Sequence, residues 1–175
     1  MIDPDAIPLG RVVRVRRFRR EDVTGQYVAW LNDADVVRFS NQRFVTHSLE
    51  SCNRYFASFS GGDNLFLSIR DAADDRAVGT MTVYRSLPHQ TADIGIMIGD
   101  RTTRGKGYGT EAWRLVVEWL AGSGELRKIT AGTMQCNLGM IHLMERAGMT
   151  LEAVRKEQEL LEGMPMDLVY YARFC

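Results

Sequence analysis

Between Thr91 and Leu120 the hydrophobic period of the chain changes once, and glycine bridges the change. In TADIGIMIGD, Ile94, Ile96 and Ile98 alternate with Asp93, Gly95 and Met97, the period of a β-strand with two unlike faces. From Ala112 the period is helical, with Ala112, Leu115, Val116, Trp119 and Leu120 on one apolar stripe. The joint, RTTRGKGYGTEAW, sets Gly105, Gly107 and Gly109 within five positions and interleaves Arg104 and Lys106. Glycine costs roughly 1 kcal/mol against alanine in a helix, so a helix start this rich in glycine needs a reason. The strand–turn–helix unit itself commits the chain to a layered α/β architecture.

The flanking segments agree. Strand patterns cover residues 11–18, 64–70, 77–85 and 126–133, and 149–161 with 164–174 form a closing hairpin turning at Glu162-Gly163. Helical patterns cover 20–33 and 48–59, the latter opened by Ser48 and Ser51. A further helix, 138–147, is capped by Asn137 and stopped by Gly148. The expectation is a mixed α/β (α+β) fold: one domain over 11–175, a central mixed sheet of about seven strands flanked by helices, and a loose arm over 1–10.

Twenty-two basic residues balance twenty-two acidic ones, which gives no global field for nucleic acid or an anionic membrane. The arginines at 11, 14, 16, 17, 19 and 20 read as a solvated edge strand. No apolar run approaches the ~20 residues of a membrane span, and MIDPDAIPLG lacks the pattern of a signal peptide. Cys52, Cys136 and Cys175 are odd in number and widely spaced, so reduced thiols and a cytoplasmic location are expected, with Cys136 a buried structural thiol. His47, His89 and His142 form no ligand spacing, and no metal is expected.

Three glycine-rich anion sites compete for residues 100–109. A P-loop needs glycine where Asp100 stands and Ser or Thr where Gly107 stands. A dinucleotide fingerprint needs GxGxxG, whereas Gly105, Gly107 and Gly109 read GxGxG. The third is a helix N-terminus whose open N–H groups and dipole cradle a pyrophosphate, with Arg104 and Lys106 adding charge. A plain tight turn would need only one such glycine.

Arg104-Gly105-Lys106-Gly107-Tyr108-Gly109 resembles the R/Q-x-x-G-x-G/A signature of the GNAT N-acetyltransferases. The wider run ADIGIMIGD, RGKGYGTEA and KITAGTMQCNLGMIHLMERAGM is similar to the branch holding the ribosomal-protein N-terminal acetyltransferases (RimJ/RimL type). The likeness extends over nearly the whole chain from residue 11. It implies a GNAT-like fold and acetyl-CoA as co-substrate, held by Arg104 to Gly109 and Thr110. Ile96, Met97 and Ile98 would pair with the pantetheine arm, and an N–H of that strand would polarise the thioester carbonyl. Asn137 would touch the cofactor or serve only as a helix cap.

The acceptor is then a primary amine, on a small molecule such as an amino sugar or on a peptide N-terminus. A non-catalytic acyl-CoA sensor is the reading from another class, and a homodimer is compatible with the resemblance. Asp93 stands where relatives often carry glutamate and is the candidate general base; the alternative is an ordinary polar residue on a half-exposed face. The positions of the usual thiolate-protonating tyrosine and serine hold Met144 and Met140, so that role is not carried over. RFSNQRFVTH, residues 38–47, lines the acceptor cleft in relatives, which makes Ser40, Asn41, Arg43 and His47 acceptor candidates, with Tyr84 beside them. Trp30, Phe39, Phe44, Tyr55 and Tyr84 are otherwise expected in the core.

Overall fold

The computed structural model describes residues 2–175. Seven strands form one sheet: β1 (Val13–Arg17), β2 (Leu65–Asp71), β3 (Ala77–Ser86), β4 (Thr91–Ile98), β5 (Lys128–Met134), β6 (Thr150–Leu161) and β7 (Met164–Phe174). Their spatial order is β1-β2-β3-β4-β5-β7-β6, antiparallel throughout except for the β4–β5 pair. The arginine-rich β1 is an edge strand, as its charge suggested.

Helices cover both faces: α1 (Gly25–Leu31) and α2 (Leu49–Ala57) on one, α3 (Tyr108–Ala121) and α4 (Leu138–Arg146) on the other. Alternation along the strands assigns the side chains. Ile94 of β4 lies in the core beneath α3, with Ile96 and Ile98 packed against it, while Met97 packs toward α1 and α2. Helix α3 is sunk deeper than a single stripe requires, since Trp113 and Val117 are also fully buried. The α2 start is a reciprocal Ser48–Ser51 capping box, and Gly148 follows α4 at φ 74°.

Three expectations need correction. Within the arm expected to be loose, Ile2 and Ile7 are buried in the α3-side core, because an apolar residue on each side of a short 3-10 turn (Pro4–Ala6) packs against it. Phe44 and Tyr84, both expected in the core, are 71% and 44% exposed. Cys136 is exposed rather than buried, because the short β5–α4 connection that carries it runs over the surface.

Candidate active site

Strands β4 and β5 pair only at Thr91–Asp93 and Lys128–Thr130, then separate. Residues 94–98 and 131–134 therefore bound a wedge in the middle of the sheet. Gly99 N–H bonds to Val78 O, which puts Thr80–Met97 and Thr82–Gly95 in the hydrogen-bonded positions of the β3–β4 ladder. The backbone N–H and C=O of Ile96 and Ile98 consequently point into the wedge. Peptide groups left unpaired in mid-sheet are a site for a ligand that completes the ladder.

At the open end of the wedge lies the glycine turn. Gly105 has φ 73° and Gly107, the N-cap of α3, φ 85°, the left-handed region that L side chains avoid. The first intrahelical bond is Glu111 N–H to Gly107 O, so the N–H groups of Tyr108, Gly109 and Thr110 have no acceptor within the helix. No atom comes within 4 Å of where a Cβ would stand on Gly105 or Gly107, while at Gly109 it would meet Ile98 at 3.4 Å. Gly105 and Gly107 thus open the cradle, and Gly109 seats the helix on β4. Arg104 and Lys106 are exposed beside it.

Long-range contacts that sequence periodicity could not reveal hold this turn in place. The Tyr108 side chain leaves the cradle and donates to Asp71 Oδ2 at 2.6 Å, which holds that carboxyl below its ordinary range. Arg76 bridges Asp71 and Asp100, and Asp100 accepts from Thr102 N–H and Oγ1, each at 2.8 Å. Glu111, in the first turn of α3, accepts from the N–H groups of Arg11, Val12 and Val13 at 2.9, 2.7 and 3.0 Å. Burial alone would raise its pKa, but these donors outweigh it and the carboxylate titrates below its usual value. Glu111→Ala strands those N–H groups and should cost about 3 kcal/mol, read by denaturant unfolding. The depressed pKa sets the sign with pH: this stability is present above the unfolded pKa and fades as pH falls through the folded one. The difference between wild type and Glu111→Gln should therefore shrink toward pH 3.

Asp93 lies on the α1–α2 face of β4 at the apex of the wedge, between Tyr84 of β3 and Thr130 of β5 in the register. Thr130 Oγ1 donates to Asp93 Oδ2 at 2.8 Å. The carboxylate keeps access to solvent, yet the protein around it desolvates it and pushes its pKa up, with Thr130 opposing. The Tyr84 hydroxyl shares a 2.8 Å hydrogen bond with that of Tyr55, whose pKa burial also raises. Asn137 caps α4 by accepting from Met140 N–H, and its amide donates to Thr133 Oγ1 at 3.0 Å. Met144 is fully buried and Met140 packs on the same core.

The remaining acceptor candidates belong to a strap. Segment 33–47 starts at Asp33 and Asp35, both paired with Arg101 just after β4. Its middle lies against the β6–β7 turn, where Arg38 pairs with Glu162 and Arg43 donates to Leu160 O at 2.9 Å. Arg43 also bonds Ser40 O and stacks on Phe44, so its guanidinium is already committed. Ser40 caps the short 3-10 turn Asn41–Phe44, and Asn41 is exposed. His47 is tied by its backbone to Asn32, with a buried Nε2 that has no partner. The strap thus links Arg101, just after β4, to the β6–β7 turn. Among the described residues no cluster of three or more His, Cys, Asp or Glu could hold a metal, and no helix is long and apolar enough to cross a membrane.

Known proteins share this fold. Residues 13–150 match the family model described as acetyltransferase (GNAT) domain. The probable N-acetyltransferase YjcK of Bacillus subtilis (strain 168) is 37% identical over 134 residues, 75% of this chain and 74% of that protein. Spermidine N-acetyltransferase from Vibrio cholerae, solved with CoA and spermine, superposes with TM-score 0.82 at 16% identity, over 94% of this chain and 96% of that one. The Salmonella typhimurium acetyltransferase that modifies the N-terminal serine of ribosomal protein L7/L12 gives TM-score 0.80 at 19% identity, over 97% and 98%. The two solved structures speak for the fold, and the family match and the Bacillus relative for descent. With its wedge and its glycine cradle, the chain belongs to the GNAT acetyltransferase family.

Proposed function

We propose that this N-acetyltransferase moves the acetyl group of acetyl-CoA to the primary amine of a small polar molecule, such as an amino sugar. The observation that carries the cofactor is the cradle. N–H groups at the start of α3, two left-handed glycines with open space above them, and two free cations suit a pyrophosphate. The unpaired edge of β4 suits the amide-bearing pantetheine arm that a GNAT cofactor carries. Acetyl-CoA supplies the activated acyl group as a thioester. The chain orients it along β4, where an N–H of Ile96 or Ile98 polarises the carbonyl.

Asp93 is the base. An alkyl ammonium titrates near ~10, so a proton must leave before nitrogen can attack, and a carboxylate whose pKa is raised is a better acceptor for it than an ordinary one. Two observations favour a small acceptor over a polypeptide. The strap is pinned at Asp33 to Arg101 and at Arg43 to the β6–β7 turn, and Asp93 is flanked in the sheet by Thr130, whose hydroxyl donates to it, and Tyr84, whose hydroxyl pairs with that of Tyr55. The acceptor test is a panel of nucleotide-linked amino sugars, simple amines, spermidine and N-terminal peptides, each followed by thiol release. Sugars should turn over best. Efficient turnover of peptides or spermidine, with no sugar accepted, overturns the acceptor assignment.

A further inference from the structure

The usual proton donors for the leaving sulfur are replaced here by Met144 and Met140, yet a hydroxyl reaches the same wedge from another strand. Tyr170 of β7 is the cross-strand partner of Gly132 on β5, on the face that also presents Thr130 and Asp93. A Cβ on Gly132 would stand 2.8 Å from Cε1, 3.0 Å from Cδ1 and 3.5 Å from Cζ of Tyr170. The outer end of the ring therefore lies over Gly132, in space that any other residue would fill.

Gly132 lies two residues beyond Thr130, where β5 has already left β4. Extending the parallel register by those two residues sets Gly132 across the wedge from Gly95, so the floor is bare of side chains on both banks. The Tyr170 hydroxyl, carried on Cζ, leans from β7 toward this gap. It has no hydrogen-bond partner among the described residues. The Arg155 guanidinium lies over the ring, 5.0 Å from its centroid, and holds its plane. A half-buried hydroxyl with a free proton, fixed by a cation and given room by a glycine, is placed to serve the bond that breaks.

We propose that Tyr170 is a catalytic residue of this acetyl transfer, the donor that meets the departing thiolate; the inference rests on the function proposed above. The acceptor ammonium first passes one proton through Asp93 to solvent, the free amine forms the new C–N bond, and the nitrogen then gives up a second proton to Asp93. The C–S bond breaks and its electron pair stays on sulfur. The Tyr170 O–H then passes its proton to that sulfur, and water returns one to the phenolate. The proton held by Asp93 leaves to solvent, so the cycle closes with one thiol and one amide formed.

The test is Tyr170→Phe, which keeps the ring and its stacking and removes only the hydroxyl. The expected result is a fall in kcat of about 10- to 100-fold, with KM for both substrates within about three-fold. A second readout needs no turnover: the thiol of bound CoA, titrated by thiolate absorbance, should ionise about one pH unit higher in Tyr170→Phe, because a donor that favours the charged form is gone. Gly132→Ala, which displaces the ring while keeping the hydroxyl, should lower kcat in the same way. Wild-type kcat and an unchanged thiol titration in Tyr170→Phe overturn the proposal. Failure of the wild-type protein to bind CoA in calorimetry overturns the proposed function instead, so the two failures are distinguishable.

Discussion

Gly107→Val should bind acetyl-CoA at least about 100-fold more weakly than the wild type, the largest binding loss expected from any single change in this chain. Two effects add. Gly107 sits at φ 85°, and a β-branched residue there carries about 1–3 kcal/mol of backbone strain. Its side chain would also project into space that no protein atom occupies within 4 Å, the space assigned to the pyrophosphate. That emptiness gives the experiment its meaning, since the substitution meets no neighbour in the folded protein and should disturb the ligand more than the core. Gly107→Ala separates the two effects, because it imposes most of the strain with less obstruction. Lys106→Ala removes a single charged contact and should cost only ~1–2 kcal/mol, roughly ten-fold. Calorimetry with acetyl-CoA ranks the three. Undiminished affinity in Gly107→Val would show that the cradle binds something else or nothing.

The cradle was legible in the sequence for a local reason. The signal lies within residues 104–110, in glycines that permit positive φ and a helix that starts beside them, although contacts far along the chain hold the turn in place. The Ser48–Ser51 box, the Asn137 cap and the alternation of Ile94, Ile96 and Ile98 are legible in the same way, through contacts a few residues apart. The wedge is different. A period-2 pattern reports which face a side chain takes but not which neighbour the backbone pairs with, so the parting of β4 from β5 after Asp93 leaves no trace in it.

Charged side chains failed for a related reason. Arg43 read as an acceptor-site candidate, but its partners Leu160 and Glu159 lie more than a hundred residues away and become visible only when the hairpin folds back. Glu111 carries no local signal beyond being an acid in the first turn of a helix. Its bonds reach back about a hundred residues to β1, which makes it a fastener between the start of the fold and the cofactor helix. Gly132 carried no signal because the residue it accommodates, Tyr170, approaches from another strand.

Asp93→Asn should lower kcat by about 100-fold or more while leaving acetyl-CoA affinity nearly intact, and it should not destabilise the protein at neutral pH. The pairing of these outcomes distinguishes a base from a structural carboxylate. Burial raises the Asp93 pKa in the folded state, so the ionised form opposes folding. For a group raised in this way, the favourable contribution is complete below the unfolded pKa and is lost as pH rises through the folded one. Near pH 7 the wild type therefore carries the cost of an ionised, partly desolvated carboxylate, which asparagine avoids while still accepting from Thr130 Oγ1. Melting temperatures at pH 7 should be equal or slightly higher for Asp93→Asn, and that advantage should shrink as the wild-type carboxylate protonates. Activity runs the other way: the wild-type rate should fall as pH drops through the raised pKa, and the variant should lack that acidic limb. Thr130→Val removes the opposing hydrogen bond, so its acidic limb should move to higher pH. Normal turnover with an unshifted profile in Asp93→Asn, or a loss of stability in step with a loss of rate, would return this residue to a structural role on the face of β4.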